Sequence, residues 1–328
     1  MATMTMPSTG AERPTAGGQR IAVLVPCYNE EKAIGLVVAA FRKALPEATV
    51  YVYDNNSRDQ TSAVAAAAGA VVGQELLQGK GNVVRRMFAD VEADIYILVD
   101  GDDTYHAPSA PAMVRRLVAE QLDMVVGCRK TMEEGAYRPG HRFGNAMLTG
   151  VVAMLFGNRF TDILSGYRVF SRRYVKSFPA LAPGFEIEPE LTVHALQLRM
   201  PIAEIETPYG ERPPGSVSKL NTYRDGIRIL IAIVKLFARE RPFIFFGSLF
   251  VILALVAIAL AYPVMVTFLE TGLVPRLPTA VLSTGLMLLA CLSLATGLIL
   301  DTVTVGRREM KRLAYLAIPA VQGSQHGD

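Results

Sequence analysis

The sequence has no tryptophan, four histidines and three cysteines, Cys27, Cys128 and Cys291. An odd, widely spaced set of cysteines supplies neither a disulfide framework nor a zinc ribbon. A His/Cys cluster that would select a soft metal is missing as well. The net charge is +3, from 33 Lys and Arg against 30 Asp and Glu. So small an excess gives no electrostatic case for nucleic acid. Only 27 glycines exclude a collagen-like chain, and 51% hydrophobic residues exclude disorder. No Gly-x₄-Gly-Lys-Ser/Thr loop is present, and no Gly-x-Gly-x-x-Gly follows the first strand. P-loop NTPase and dinucleotide-binding readings are therefore disfavoured.

Charge is also missing locally. Residues 243–300 carry only Glu270 and Arg276. Phe243–Leu269 and Leu277–Leu300 are charge-free runs, each longer than the roughly 20 apolar residues that cross a bilayer core. They predict two transmembrane helices, 243–269 and 277–300, joined as a hairpin, with a kink near Pro263. A pair of buried core helices is the competing reading. Arg228, Lys235, Arg239 and Arg241 precede the first run, and Arg307, Arg308, Lys311 and Arg312 follow the second. The bias of positive residues toward the cytoplasmic side puts both ends there. Residues 1–19 read as a flexible tail without a secretory signal. A juxtamembrane amphipathic helix is expected over 216–242, lying on anionic headgroups or packed on the soluble domain. Residues 301–328 are expected as a cytoplasmic tail. The whole is expected in the cell (inner) membrane, multi-pass, with its catalytic domain cytoplasmic.

Residues 20–215 alternate short β-branched runs with helical patterns. Strands are predicted at Ile21–Val25, Thr49–Tyr53, Ala70–Val72, Ile95–Val99 and Met124–Val126. Helices are predicted at Glu31–Leu45, Gln60–Ala68, Asn82–Glu92 and Pro111–Glu120. This order implies an α/β, Rossmann-like, mostly parallel sheet. Ligands of such sheets sit beyond the carboxyl ends of the strands. Those positions hold Pro26-Cys27-Tyr28-Asn29-Glu30, the Asp54 turn, Asp100-Gly101-Asp102 and Gly127-Cys128-Arg129. Each segment alone could be a plain turn. Together they gather acids, amides and an arginine at one edge. Asp100 and Asp102, two carboxylates with Gly101 between them, suit a hard divalent cation that is also held by a diphosphate. Gly79-Lys80-Gly81-Asn82 opens a helix, either toward a phosphate or as an ordinary helix start.

These stretches resemble the family 2 inverting glycosyltransferases of the GT-A fold. The closer resemblance is to the polyprenyl-phosphate glycosyltransferases, which include dolichol-phosphate mannose synthase and the bacterial GtrB-type enzymes. Asp162-Ile163-Leu164-Ser165-Gly166-Tyr167-Arg168, Arg212 to Lys219 and the C-terminal hairpin extend the match over about residues 20–310. The resemblance implies transfer of a sugar from a nucleotide diphosphate, UDP-glucose favoured, to polyprenyl (undecaprenyl) phosphate. Pro26, Tyr28, Glu30 and Asp54 would hold the base and ribose. Asp100 and Asp102 would bind the diphosphate through Mg²⁺ or Mn²⁺. Arg212 and Lys219 would sit on a mobile loop that closes over the donor phosphates, and Lys80 and Ser218 are expected to bind substrate. Arg129, Arg142 and Arg168 would receive the acceptor phosphate, beside Asp162. Asp162 is expected to orient or act electrostatically, with a base role left open. A homotetramer is implied. The alternatives are a family 2 enzyme with another lipid or glycan acceptor, or a non-catalytic membrane scaffold. Two positions depart from the family pattern: Cys27, where alanine is usual, and Asp103 to Pro108, where proline usually comes earlier.

Overall fold

The protein is described from a computed structural model covering residues 18–131, 150, 161–184, 186–210, 231, 234–235 and 237–321. These residues form two compact units. One takes in those within Met1–Gly150, Asn158–Leu220 and Lys311–Asp328, and the other those within Val151–Gly157 and Asn221–Met310.

The first unit is an α/β layer structure. Strands β1 (Ile21–Cys27), β2 (Thr49–Asp54), β3 (Val71–Gln74) and β4 (Ile95–Leu98) alternate with helices α1 (Ile34–Ala44), α2 (Thr61–Ala67) and α3 (Lys80–Asp90). After β4 come a short 3-10 turn (Ala107–Ser109), α4 (Ala110–Ala119) and β5 (Met124–Thr131). The later elements are β6 (Arg168–Ser171), α5 (Arg172–Ser177), α6 (Ile187–Gln197) and β7 (Ile202–Tyr209). The sheet order is β3-β2-β1-β4-β6-β5-β7. β6 pairs antiparallel with β4 and β5, and the other pairings are parallel. The fold is thus the expected mostly parallel α/β sheet.

β1 and β4 are buried along their whole lengths, which is why both read as continuous apolar runs. Val23, Val25, Ile95, Ile97, Val125 and Val169 form the core with Val37, Phe41 and Leu117 from the covering helices. β6 and β7 were not anticipated. β6 has only four residues, and β7 carries Glu204 and Glu206 among its apolar positions. Running against its neighbours, β6 begins at the edge where the parallel strands end. The 161–167 loop therefore reaches the same edge as the turns after β1, β2 and β4. Residues 311–321 also belong to this unit. Tyr315 Oη donates to Asp123 Oδ2 (2.8 Å), and the Arg173 guanidinium lies 4.7 Å from the Tyr315 ring centre.

The second unit contains α7 (Pro242–Thr271) and α8 (Leu277–Leu316) up to Met310. Both helices are long and apolar enough to cross a membrane, and most of their apolar side chains are exposed. α7 runs on through Pro263. α8 continues well past Leu300, because the polar stretch after it is still helix-forming. Ser283, Ala290, Ser293, Gly297 and Thr304 make its buried stripe. Ser293 Oγ donates to Phe246 O (2.9 Å), and a Cβ at Gly297 would lie 3.0 Å from Phe246 Cβ. Small residues let the two backbones approach, as membrane helix pairs require. Of the expected 216–242 helix, residues 231, 234–235 and 237–242 are described; they are helical up to Glu240, Arg241 breaks the run and Pro242 opens α7.

Candidate functional site

The first three acidic and amide turns share a backbone device. Asn29 after β1, Asn56 after β2 and Asp103 after β4 all have left-handed φ angles, of 52°, 63° and 60°. Asn and Asp tolerate this region best among residues with a side chain. The turns are then tied to one another. Asn29 N–H donates to Ser57 Oγ (2.8 Å), Arg58 N–H to Asn29 Oδ1 (2.8 Å) and Glu30 N–H to Thr61 Oγ1 (2.8 Å). Pro26, Tyr28 and Glu30 are thereby fixed beside Asp54. The Asp54 carboxylate is buried and engaged internally. One oxygen accepts from the Ser57 backbone and hydroxyl, the other from Ser62 Oγ (2.9 Å). It shapes the turn.

Asn55, which the sequence reading did not single out, staples the next loop. Its Nδ2 donates to Glu75 O and Leu77 O (2.8 Å each), and its Oδ1 accepts from Gly79 N–H (2.7 Å). The α3 start that follows is covered by the chain itself. Asn82 N–H donates to Gly79 O (3.0 Å) and Pro183 O (3.2 Å). A Cβ at Gly81 would fall 1.9 Å from Ala182 O. The Asn82 backbone amide is thus already engaged by the chain. What Gly79 to Asn82 brings to the edge is the Lys80 side chain.

Lys80 Nζ donates to Asp100 Oδ1 and to Glu188 Oε1, both at 2.5 Å. Burial works against the ammonium, but the two carboxylates outweigh it and keep the proton on. Burial pushes the Glu188 carboxyl up, Lys80 pulls it down and Asp100 adds a further upward push; the balance is upward. Asp100 remains partly exposed, with 28% of its side-chain surface accessible. Asp102 is buried, and its Oδ1 accepts from Thr104 Oγ1 (2.6 Å) and Thr104 N–H (3.3 Å). Gly166 comes so close to Asp100 that a Cβ there would sit 2.6 Å from Oδ2. Its N–H donates to Tyr105 Oη (2.9 Å).

A second pair stands at the start of the 161–167 loop. Arg129 donates through Nε to Asp162 Oδ2 and through Nη2 to Asp162 Oδ1, each at 2.7 Å. Burial alone would raise the Asp162 carboxyl. The Arg129 hydrogen bonds and charge overcome that and hold it below the usual carboxylate range. Glu204 on β7 supports this loop by accepting from Thr161 N–H and Thr161 Oγ1 (2.8 Å each). The Arg129 guanidinium also lies 5.6 Å from the Tyr209 ring centre.

Arg168 does not join them. Its side chain has no exposed surface. Nε donates to Ser165 O (2.9 Å), Nη2 to Ile163 O (2.6 Å) and Nη1 to Thr192 Oγ1 (2.8 Å). The expected direct contact with an acceptor phosphate is not available to a guanidinium enclosed in this way. Arg168 instead ties down the loop that carries Asp162. Arg142, Arg212, Ser218 and Lys219 lie outside the described residues. The sequence reading also missed Glu188, Tyr105, Thr104 and Glu204. Glu188 carried a faint signal as one of three acids in Glu186-Ile187-Glu188-Pro189-Glu190.

Among the described residues, no group of three or more His, Cys, Asp or Glu side chains could hold a metal. Asp100 and Asp102 offer two hard oxygen ligands. That fits Mg²⁺ or Mn²⁺, which are commonly held by one or two carboxylates plus substrate phosphates.

A mostly parallel sheet, crossed by one reversed strand and carrying an Asp-x-Asp turn at its ligand edge, defines the GT-A type of transferase fold. The family model described as "Glycosyl transferase family 2" matches residues 22–178. Glycosyltransferase AglJ of Haloferax volcanii is 32% identical over 299 residues, spanning 90% of this chain and 98% of AglJ. Protein RfbJ of Shigella flexneri is 59% identical over 123 residues, 37% of this chain and 95% of RfbJ. A dolichyl-phosphate hexose transferase of Haloferax volcanii is 28% identical over 67% of this chain and 95% of its own length. Among solved structures, glucosyl-3-phosphoglycerate synthase from Mycobacterium tuberculosis in complex with Mn²⁺ and UDP-glucose matches with a TM-score of 0.55. It is 25% identical, over 68% of this chain and 79% of the synthase. The chain belongs to the family 2 glycosyltransferases, and its relatives support the polyprenyl-phosphate branch.

Proposed function

We propose that this glycosyltransferase moves a hexose from a nucleotide-diphosphate sugar to a polyprenyl phosphate, with inversion at the anomeric carbon. The observation that carries the reading is the single sheet edge shared by the Asp100/Asp102 turn, which packs against Gly166, and the Arg129–Asp162 pair. Acids on one side suit a cation-bound diphosphate. A guanidinium on the other suits an anionic acceptor. The dolichyl-phosphate hexose transferase relative and the two apolar helices support a lipid-linked acceptor. The synthase complex with Mn²⁺ and UDP-glucose supports a divalent metal and a uridine donor.

Asp100 and Asp102 would hold the metal, which when bound acts as a Lewis acid toward the departing diphosphate. Pro26, Tyr28, Glu30 and the Asp54 turn would seat the base and ribose, and Lys80, Arg212, Ser218 and Lys219 would face the phosphates. Arg129 and Arg142 would receive the acceptor phosphate. That phosphate is already anionic and needs little deprotonation. Asp162, held ionised by Arg129, is a weak base, so its part is to orient Arg129. We also place the enzyme in the inner membrane with its sheet in the cytoplasm, as a homotetramer, with UDP-glucose and undecaprenyl phosphate as substrates.

The test is to assay the purified chain in detergent against a panel of nucleotide sugars, with and without undecaprenyl phosphate. The expected result is nucleoside diphosphate release that needs both the acceptor phosphate and Mg²⁺ or Mn²⁺, and a polyprenyl-phosphate hexose product. Release unaffected by the acceptor phosphate would overturn the reading. Sedimentation in detergent reads the oligomeric state.

A further inference from the structure

Lys80, Asp100 and Glu188 come from three elements far apart in the sequence: the first residue of α3, the turn after β4 and the first turn of α6. One ammonium bridges two carboxylates at equal distances of 2.5 Å. The Lys80 and Glu188 side chains are nearly enclosed, at 10% and 6% exposure. An ion pair serving only to anchor α3 would need one carboxylate, and Asp100 alone would suffice. It would also leave Asp100 neutralised, next to Asp102, on the turn assigned to the metal. With Glu188 present, the bridged group keeps one net negative charge.

We propose that Glu188 is a positioning residue that sets the divalent-cation affinity of the Asp100/Asp102 turn by sharing the Lys80 charge. The inference rests on the metal assignment above and adds a residue to it. Lys80 and a divalent cation are rivals for the Asp100 carboxylate, and Glu188 holds the lysine back from winning. Two substitutions then act with opposite sign. Glu188→Gln leaves the full Lys80 charge on Asp100 and weakens cation binding. Lys80→Met removes the rival and strengthens it. A unit charge this close to a partly buried divalent ion is worth about tenfold or more in affinity.

The experiment titrates the full-length protein in detergent with Mn²⁺ alone, reading free Mn²⁺ by electron paramagnetic resonance, with thermal melting alongside. Wild type is expected to bind a Mn²⁺ that Asp102→Asn abolishes. Glu188→Gln should weaken that binding about tenfold, Lys80→Met should tighten it by a similar factor, and Glu188→Asp should stay near wild type. A purely anchoring role for Glu188 would lower the melting temperature of both variants and move their Mn²⁺ affinities together or not at all; that result overturns the inference. If Glu188→Gln does not fold, the direction of the Lys80→Met shift decides. If wild type binds Mn²⁺ through Asp102 and the variants do not diverge, only the Glu188 inference fails. A repeat with UDP present completes the cation's ligand set; if wild type shows no Asp102-dependent binding there either, the metal assignment falls with it.

Discussion

Arg129 grips both oxygens of Asp162, and the grip reaches across the sheet edge from β5 to the loop entering β6. Such a pair makes the carboxylate a poor proton acceptor and a good anchor. Asp162→Asn is therefore expected to lower turnover by loosening Arg129, while leaving the pH dependence of kcat unchanged between about pH 6 and 8. A base role would instead show as loss of an acid-side limb. The same pair has a stability signature. The folded-state pKa of Asp162 is depressed, so its stabilisation is present above the ordinary carboxylate range and is lost as pH falls through the lower folded value. Melting curves of wild type and Asp162→Asn should converge on acidification.

Asp102 is buried, and Thr104 holds one of its oxygens through two donors. Asp102→Ala is expected to lower kcat by about a hundredfold or more and to remove the response to added Mg²⁺ or Mn²⁺. Thr104→Val keeps the carboxylate but frees it to rotate. Its expected effect is a smaller loss, seen mainly as a higher metal concentration for half-maximal rate.

Gly166 has no room for a side chain. A methyl group there meets the Asp100 carboxylate at 2.6 Å. Gly166→Ala should shift Asp100 and cost about 1–3 kcal/mol of stability, measured by thermal or denaturant unfolding. Turnover should fall further than the stability loss alone explains.

Arg168 separates two explanations of one arginine. If it only braces the 162–165 loop, Arg168→Met leaves Ser165 O and Ile163 O without their donor and costs about 2–4 kcal/mol. Its kinetic effect should then fall on kcat, through the mislaid Asp162 loop. A rise confined to the acceptor KM, with stability intact, would restore the direct phosphate contact.

The edge after β1, β2 and β4 was legible because these strands are mostly apolar and Asp or Asn follows each closely. Asp54, Asp100 and Asp102 stand out against such strands. The rest of the edge was harder to read. The chain reverses at β6, and no local pattern in Arg-Val-Phe-Ser announces an antiparallel insertion between β4 and β5. Arg168 was expected at the acceptor phosphate on the family resemblance alone. Its burial depends on carbonyl groups from Ser165 and Ile163, which only the folded loop presents. Glu188 was hidden for a similar reason, because its partner Lys80 is 108 residues away. The membrane runs were plain, yet α8 outlasts its apolar run, since helix formation does not stop where lipid solubility does.

The reversed strand also makes part of the molecule exchangeable. β5 finishes, and the chain returns to enter β6, at one and the same edge, so the excursion between them leaves and rejoins the sheet from a single side. Replacing residues 132–160 by the corresponding stretch of a relative breaks none of the strand pairings among the described residues. Arg129 and Asp162 stand just outside the two ends of that excursion, and their ion pair closes its base.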